Sequence, residues 1–203
     1  MLITFEGLDQ AGKSTQIELL THFFQSKGRH VIVLREPGGT VIGEKIRDIL
    51  LDKKNLHMVE LAEMFLFSAS RAQLTREVIK PALARNEIVI LDRFFDSTTA
   101  YQGYGRGISL VDIKAINRVA TEGIIPDATI VLDISIDEME GRRIKAGKTS
   151  DRMESNTKEF YNRVRQGYLH VAEGDDRFQV FNALQPADEI HRQIVNFIQK
   201  SLL

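Results

Sequence analysis

The segment that most restricts the fold of this 203-residue chain is an octapeptide, Gly7-Leu-Asp-Gln-Ala-Gly-Lys-Ser14. It matches the pattern G-x-x-x-x-G-K-[ST] and stands between an apolar run, Leu2–Phe5, and a segment with the apolar repeat of a helix. In that context glycines let successive N–H groups point inward, and the helix N-terminus adds positive potential. The sequence predicts a phosphate-binding loop in which Lys13 reaches the outer phosphates. The alternative is a glycine turn that binds no phosphate.

Further short apolar runs, rich in Ile, Val and Phe, predict strands that are covered on both faces. They are Val31–Leu34, Ile88–Leu91, Thr129–Ile134 and Phe178–Phe181. Segments with helical periodicity lie between them, and Gly28, Pro81 and Pro186 are expected at helix boundaries. We predict an α/β protein with the P-loop NTPase fold, in which helices flank a five-stranded parallel sheet. Residues 1–203 are expected to form a single P-loop domain.

The charge balance excludes some classes of protein. The chain has 27 Lys and Arg against 28 Asp and Glu, and this near-neutral balance argues against a protein that mainly binds nucleic acid or an anionic membrane. It has no cysteine, which excludes disulfides and thiolate chemistry. No apolar run approaches the roughly 18 residues of a membrane span, and the start of the chain does not resemble a signal peptide. We expect a cytoplasmic protein with no nucleic-acid or membrane partner.

The third predicted strand ends in Leu91-Asp92-Arg93, where a motor ATPase would more often carry Asp-Glu. The guanine-reading run Asn-Lys-x-Asp of GTPases is missing from the sequence. Because Asp92 is expected beside the phosphate loop, Asp92 and Ser14 are candidate Mg²⁺ ligands. The alternative for Asp92 is a helix cap.

A second motif follows further along the chain and resembles a known family. It spans residues 92–102 and reads Asp-Arg-Phe-Phe-Asp-Ser-Thr-Thr-Ala-Tyr-Gln. Together with Phe5-Glu-Gly-x-Asp-x-Ala-Gly-Lys-Ser-Thr15, it closely resembles the signature of thymidylate kinases. Two further segments agree, Arg35-Glu-Pro-Gly-Gly-Thr40 with Gly43-Glu-x-x-Arg47, and Phe65–Arg71. The resemblance implies transfer of the γ-phosphoryl group of ATP to dTMP with Mg²⁺, by an enzyme that is generally a homodimer.

The resemblance also implies the two nucleotide sites. The expected ATP-binding residues are Gly7, Leu8, Asp9, Gln10, Ala11, Gly12, Lys13, Ser14 and Thr15. The expected dTMP-binding residues are Asp9, Glu36, Pro37, Arg47, Phe67, Arg71, Arg93, Thr98, Tyr101 and Gln102. Family members stack the phenylalanine on thymine, hydrogen-bond the arginine beside it to a base carbonyl, and close the Glu-Pro loop, often with a cis proline, on the acceptor.

Arg93 and Arg47 resemble the arginines that the family uses for the acceptor phosphate, and Asp9 resembles the carboxylate beside the acceptor sugar. The alternatives to these binding roles are structural: Phe67 would belong to the core, and Arg71 would be a charge on the solvated surface. For Thr98 and Gln102 the alternative is a helix face packed on the sheet. An apolar face around Leu61, Phe65 and Leu66 is expected to be either core or a subunit contact.

A polar, basic segment over residues 141–154 predicts a short lid that brings cations to the migrating phosphoryl group. Its cations are Arg142, Arg143, Lys145, Lys148 and Arg152, and Gly147 is a candidate hinge. Some family members place an arginine in the phosphate loop, but this chain has Gln10 there and therefore resembles the members with a lid arginine. The expected catalytic residues are Lys13, Asp9, Arg93, Arg143 and Arg152. The alternative for any lid cation is a solvated charge.

Two other functions stay open at this point. The first is a kinase for a different nucleoside monophosphate, against which Phe67, Arg71 and Gln102 argue. The second is a non-catalytic nucleotide switch, which would need no second nucleotide pocket.

Overall fold

A computed structural model describes residues 1–147 and 151–202, and in this part of the chain five parallel strands form one sheet. They are β1 Leu2–Gly7, β2 Val31–Arg35, β3 Ile88–Asp92, β4 Ala128–Asp133 and β5 Phe178–Asn182, in the spatial order β2-β3-β1-β4-β5. Helices pack on the sheet, so the predicted α/β fold is confirmed. The strands match the apolar runs because such runs satisfy a sheet that is covered by helices.

The three central strands differ from the two edge strands. Nearly all residues of β1, β3 and β4 are buried. In contrast, no residue of β2 is buried, Val33 is 48% exposed, and Phe178 and Phe181 are the two buried residues of β5. The expectation that every strand is covered on both faces is therefore wrong at the edges. An edge strand has a neighbouring strand on one side only, so its residues are less covered than those of a central strand.

The helices follow the periodic segments. They are α1 Lys13–Ser26, α2 Val41–Leu51, α3 Glu60–Leu74, α4 Lys80–Ala84, α5 Phe95–Thr98, α6 Leu110–Ala120, α7 Ile136–Lys145, α8 Lys158–Ala172 and α9 Ala187–Ser201. Gly28 follows the end of α1 with φ +72°, and Pro186 directly precedes α9, as predicted. None of the helices in the described ranges has the length and apolar character that crossing a bilayer requires.

Pro81 lies at a helix boundary, the start of α4, but the chain is helical on both sides of that boundary. A π-helical turn over Thr75–Ile79 joins α3 directly to α4, and Pro81 lies in the first turn of α4. A proline is tolerated there because the helix does not need its missing N–H group, and the π turn absorbs the change of register.

The parallel sheet brings three chain segments to one edge. Because β1, β2 and β3 are neighbours and run in the same direction, Gly7, Arg35 and Asp92 all lie at their carboxyl ends. Arg35 pairs with Asp92 in the ladder, and the Arg93 amide donates to Phe5 O at 2.9 Å. The loops after these strands therefore meet beside the N-terminus of α1, which is where ligands bind in such sheets.

Candidate active site

The phosphate loop is built from backbone geometry. Gly7 has φ +125°, and a Cβ placed there would lie 2.3 Å from Leu132 O on β4, so a side chain does not fit. Gly12 has φ +96° and ends the loop at α1 without a side-chain cap. The free amides of the first helical turn thus face the loop and suit an anion. Lys13 Nζ lies along the loop and donates to Leu8 O at 3.0 Å.

A cavity of about 470 Å³ opens in front of this loop. Its walls are formed by Asp9, Gln10, Gly12, Lys13, Ser14, Thr15, Arg35, Glu36, Arg47, Asp92, Arg93 and Glu154. Three of the expected ATP-binding residues, Gly7, Leu8 and Ala11, form the loop behind that wall, and the side chains of Leu8 and Ala11 are buried in the core. Polar groups dominate the wall, as phosphate binding requires.

Asp92 lines this cavity and has a carboxylate oxygen without a partner among the described residues. Its Oδ1 atom is buried and has no hydrogen-bond partner among the described residues, and Ser14 lines the same cavity. An unpaired buried carboxylate oxygen is unfavourable unless an ion or a donor meets it, and Mg²⁺ prefers oxygen ligands. Ser14 and Asp92 therefore fit the predicted metal. The alternative helix-capping role for Asp92 is wrong, because Phe94 holds the cap position of α5.

A second cavity, of about 170 Å³, adjoins the first. Nine of the ten expected dTMP-binding residues line it, namely Asp9, Glu36, Pro37, Arg47, Phe67, Arg93, Thr98, Tyr101 and Gln102. The sequence reasoning missed Leu51, Ser97, Asp151, Met153 and Glu154, which line it as well. The two cavities share the walls formed by Asp9, Glu36, Arg47, Arg93 and Glu154 and are therefore continuous. The Glu36–Pro37 peptide bond is cis.

Arg93 lies at the junction of the two cavities. Its backbone has φ +71°, and its guanidinium donates to Asp9 Oδ1 at 2.7 Å, Tyr168 OH at 3.0 Å and Tyr101 OH at 3.2 Å. Burial alone would raise the pKa of Asp9, but the charges of Arg93 and Lys13 outweigh burial and hold that pKa below its ordinary value. The loop carboxylate is thus ionised and held at the junction.

A buried carboxylate that the sequence reasoning missed supports Arg93 from below. Glu6 Oε1 accepts from the Phe94 amide at 2.7 Å, and Oε2 accepts from the hydroxyls of Ser97 at 2.6 Å and Tyr168 at 2.9 Å. Burial and the neighbouring Asp96 raise the pKa of Glu6 to about 7. The available signal was an acidic residue in an otherwise apolar central strand.

Arg71 lies behind the second cavity and is not part of its wall. It is 1% exposed, and it donates to Glu36 Oε2 at 2.8 Å, Thr98 Oγ1 at 3.0 Å and Asn117 Oδ1 at 3.0 Å. The alternative of a solvated surface charge is therefore wrong. Burial raises the pKa of Glu36 to about 7 in spite of the opposing charge of Arg71. Arg71 holds two residues that do line the cavity.

Known proteins resemble this chain both in sequence and in structure. A sequence model of the family described as "Thymidylate kinase" matches residues 5–194. The chain belongs to the thymidylate kinase family.

Relatives and a solved structure agree with this membership over nearly the whole chain. A thymidylate kinase from Pelodictyon phaeoclathratiforme is 50% identical over 96% of this chain and 94% of its own length. One from Caldanaerobacter subterraneus subsp. tengcongensis is 44% identical, over 98% of this chain and 95% of its own. The crystal structure of thymidylate kinase from Ehrlichia chaffeensis superposes with a TM-score of 0.79 at 34% identity and covers 98% of both chains.

In this thymidylate kinase family member, the lid does not place its arginines as expected. Arg152 is 6% exposed and pairs with Glu63 Oε2 at 2.7 Å, and its Nε donates to Leu50 O at 2.6 Å. Met153 is buried too, so residues 141–154 are not simply a polar excursion from the surface. Of the described lid residues, Asp151, Met153 and Glu154 contribute to the cavity walls, whereas Arg143 and Arg152 do not.

Arg142 is the described lid cation that contacts the phosphate loop. It donates to Gln10 O at 3.2 Å and to Ala183 O at 2.8 Å, whereas Arg143 donates to Glu154 O at 3.5 Å. Lys148 lies outside the described residues. The sequence reasoning named Arg142 as a lid cation but did not select it, because position in a basic run does not reveal which side chain faces the loop.

Proposed function

We propose that the two continuous cavities bind ATP and dTMP with their phosphates meeting at Arg93, and that the residues named above carry the reaction. The chain phosphorylates dTMP with ATP, giving dTDP and ADP, which is the reaction of the thymidylate kinase family. The observation that carries the assignment of sites is the shared wall, in which Asp9 and Arg93 belong to both cavities. Phosphoryl transfer needs such a head-to-head arrangement because catalysis depends on positioning and charge neutralisation.

On the donor side, residues 7–15 hold the ATP phosphates. The amides at the start of α1 and the Lys13 ammonium supply positive charge, which lowers the energy of the transferring group. Ser14 and Asp92 would hold Mg²⁺, which supplies further charge neutralisation to the donor phosphates when bound. The unpaired Asp92 Oδ1 supports this part of the proposal.

On the acceptor side, Arg93 and Arg47 bind the dTMP phosphate, because guanidinium groups stay charged and grip phosphate oxygens in pairs. Asp9 orients the acceptor sugar, Phe67 stacks on the base, and Thr98, Tyr101 and Gln102 surround base and sugar. Arg71 acts on the base through Thr98 and Glu36, which it holds. Glu36 and Pro37 close the pocket. No general base is needed, because the acceptor phosphate oxygen is already anionic at neutral pH.

Among the lid cations, Arg142 and Arg143 are the candidates for stabilising the transferring group. Arg142 already contacts the phosphate loop, and Arg143 lies on the same helix. Arg152, selected from the sequence for the same role, is better suited to anchoring the lid, because Glu63 and Leu50 O hold its guanidinium in the interior.

The enzyme functions as a homodimer through an apolar surface on α2 and α3. Val41, Ile42, Leu61 and Phe65 are each more than half exposed, so the alternative that this stripe is core is wrong for Leu61 and Phe65. Burying these side chains against a second copy removes apolar area from water. Analytical ultracentrifugation would detect the dimer, and Phe65→Asp should shift the population to the monomer.

The function is tested by ADP release from the purified chain with ATP and Mg²⁺, comparing dTMP with dUMP, dCMP, AMP and GMP at equal concentration. Strong preference for dTMP is the expected result. Preference for another monophosphate would overturn the base-reading assignments. Nucleotide binding without acceptor-dependent turnover would instead support the nucleotide switch.

A further inference from the structure

Glu63, on α3, is a buried carboxylate that lines neither cavity and has no role in the reaction described above. It is 1% exposed and is surrounded by donors from three other segments. Oε1 accepts from Gln102 Nε2 at 2.9 Å and Arg106 Nε at 3.2 Å, and Oε2 pairs with Arg152 Nη1 at 2.7 Å. Burying a carboxylate costs much free energy, and even a fully paired one contributes little net stability. Stability alone therefore does not account for Glu63.

The charge state of Glu63 decides which atom of the Gln102 amide can face it. Burial would raise the pKa of Glu63, but hydrogen bonds from Gln102, Arg106 and Arg152 and the charge of Arg106 outweigh burial and lower that pKa. An ionised carboxylate only accepts hydrogen bonds, so the amide must turn its nitrogen to Glu63. Its carbonyl oxygen is then free for another donor, and among the described residues none donates a hydrogen bond to Gln102 Oε1.

We propose that Glu63 is a positioning residue that sets the choice of base, because it holds the Gln102 amide with the carbonyl presented to the acceptor. The inference rests on the proposed function of Gln102 as a reader of the base. Gln102 contributes to the cavity wall together with Thr98, whose Oγ1 accepts from Arg71. A fixed amide presents one pattern of donors and acceptors, whereas a free amide can present either.

This fixed pattern distinguishes thymine from cytosine. Thymine carries an N3–H donor next to the O4 acceptor, and cytosine carries the reverse, an N3 acceptor next to an amino group. Arg93 and Arg47 hold the nucleotide phosphate and Phe67 stacks on the ring, so the base cannot slide to change partners. A carbonyl that accepts from N3–H of thymine would meet the N3 lone pair of cytosine, and unmatched buried polar groups are strongly unfavourable.

The test measures kcat/KM for dTMP and for dCMP with the full chain, ATP and Mg²⁺. In Glu63→Gln the new amide can donate as well as accept, so Gln102 can turn over. We expect the ratio of dTMP to dCMP to fall by roughly tenfold or more, with the KM for ATP unchanged. The matched control is Arg106→Gln, which removes another partner of Glu63 and leaves its bond to Gln102. That control should keep the wild-type ratio.

A folded Glu63→Gln variant that keeps the wild-type ratio overturns the inference. If this variant does not fold, Glu63→Asp retains the negative charge that Arg106 and Arg152 pair with, but it is one methylene shorter. The contact with the Gln102 amide is then lengthened, and the ratio should fall in the same direction. In that case the inference is overturned if Glu63→Asp keeps the wild-type ratio of kcat/KM for dTMP to that for dCMP.

Gln102→Met separates the two levels of the proposal. If it loses the preference while Glu63→Gln keeps it, only the orienting role of Glu63 is wrong. If Gln102→Met keeps the preference, the base-reading role in the proposed function is wrong and the inference fails with it.

Discussion

The phosphate loop and the acceptor pocket lie side by side but are constructed differently. The loop is a local structure that is formed by one short segment. Glycines with positive φ shape its backbone, and the amides at the start of α1 face the cavity. The acceptor pocket collects side chains from α2, α3, α5, the lid and the loops after β1, β2 and β3. Buried ion pairs hold several of these side chains, among them Arg71 with Glu36 and Arg152 with Glu63. We therefore expect the phosphate loop to tolerate substitutions elsewhere in the chain. The acceptor pocket, in contrast, depends on residues outside its wall that hold its side chains in place.

The largest effect that we expect comes from the local site. Lys13→Ala should lower kcat by at least about a thousandfold, because the ammonium acts on the transferring group while contributing no long-range contact. Calorimetric dTMP binding should stay near the wild-type value, and the exposed Lys200→Ala serves as the control for loss of a lysine. Retention of turnover would contradict the assignment of the donor phosphates to this loop.

The second prediction concerns stability and compares two glycines. Gly7→Ala should destabilise the fold by roughly 3 kcal/mol or more, because the Cβ would meet Leu132 O at a positive φ. Gly141→Ala, on α7, has no atom within 4 Å of the added Cβ and should stabilise by up to about 1 kcal/mol. Urea unfolding measures both, and equal effects would contradict the rigid attachment of the loop to β4.

The third prediction breaks the assembled site at one of its ion pairs. Arg71→Ala leaves Glu36 buried without its partner and should cost about 3 to 5 kcal/mol, together with a weaker preference for dTMP. Adding Glu36→Gln removes the unpaired charge and should restore part of the stability. Thermal unfolding of both variants checks this. A wild-type melting temperature for Arg71→Ala would show that the pair does not support the pocket.

The smallest effect is on the pH dependence of stability. Glu6 and Glu36 both have pKa values raised to about 7 from 4.5, so between those pH values the folded chain holds protons that the unfolded chain releases. Stability contributed by these groups therefore falls as the pH rises through this window. Glu6→Gln should lessen that fall by removing one of the groups with a raised pKa. Urea midpoints across the window measure it, and an unchanged slope would contradict the raised pKa of Glu6.

The same contrast explains what could be predicted from the sequence. The strands, the phosphate loop and the position of Asp92 follow from local patterns of apolar residues, glycine and spacing, and the structure places all of them as expected. Family motifs also named nine of the fourteen residues that line the second cavity.

The missed features all depend on tertiary contacts. Glu6 supports Arg93 through Ser97 and Tyr168, which come from distant parts of the chain. Arg152 faces Glu63, whereas Arg142 faces the phosphate loop, although both belong to one basic run. Charge patterning identifies cations, but only packing decides which of them is turned toward the site.

The wall shared by the two cavities has a consequence for how this enzyme can evolve. Asp9 and Arg93 line both cavities. In the proposed assignment a substitution at either position acts on both nucleotides at once, so the KM values for donor and acceptor cannot be tuned separately there. Phe67, Thr98 and Gln102 line the acceptor cavity alone. Selection for a different pyrimidine can therefore act at that far end while the use of ATP is left intact, which makes the acceptor base the adaptable half of an otherwise constrained enzyme.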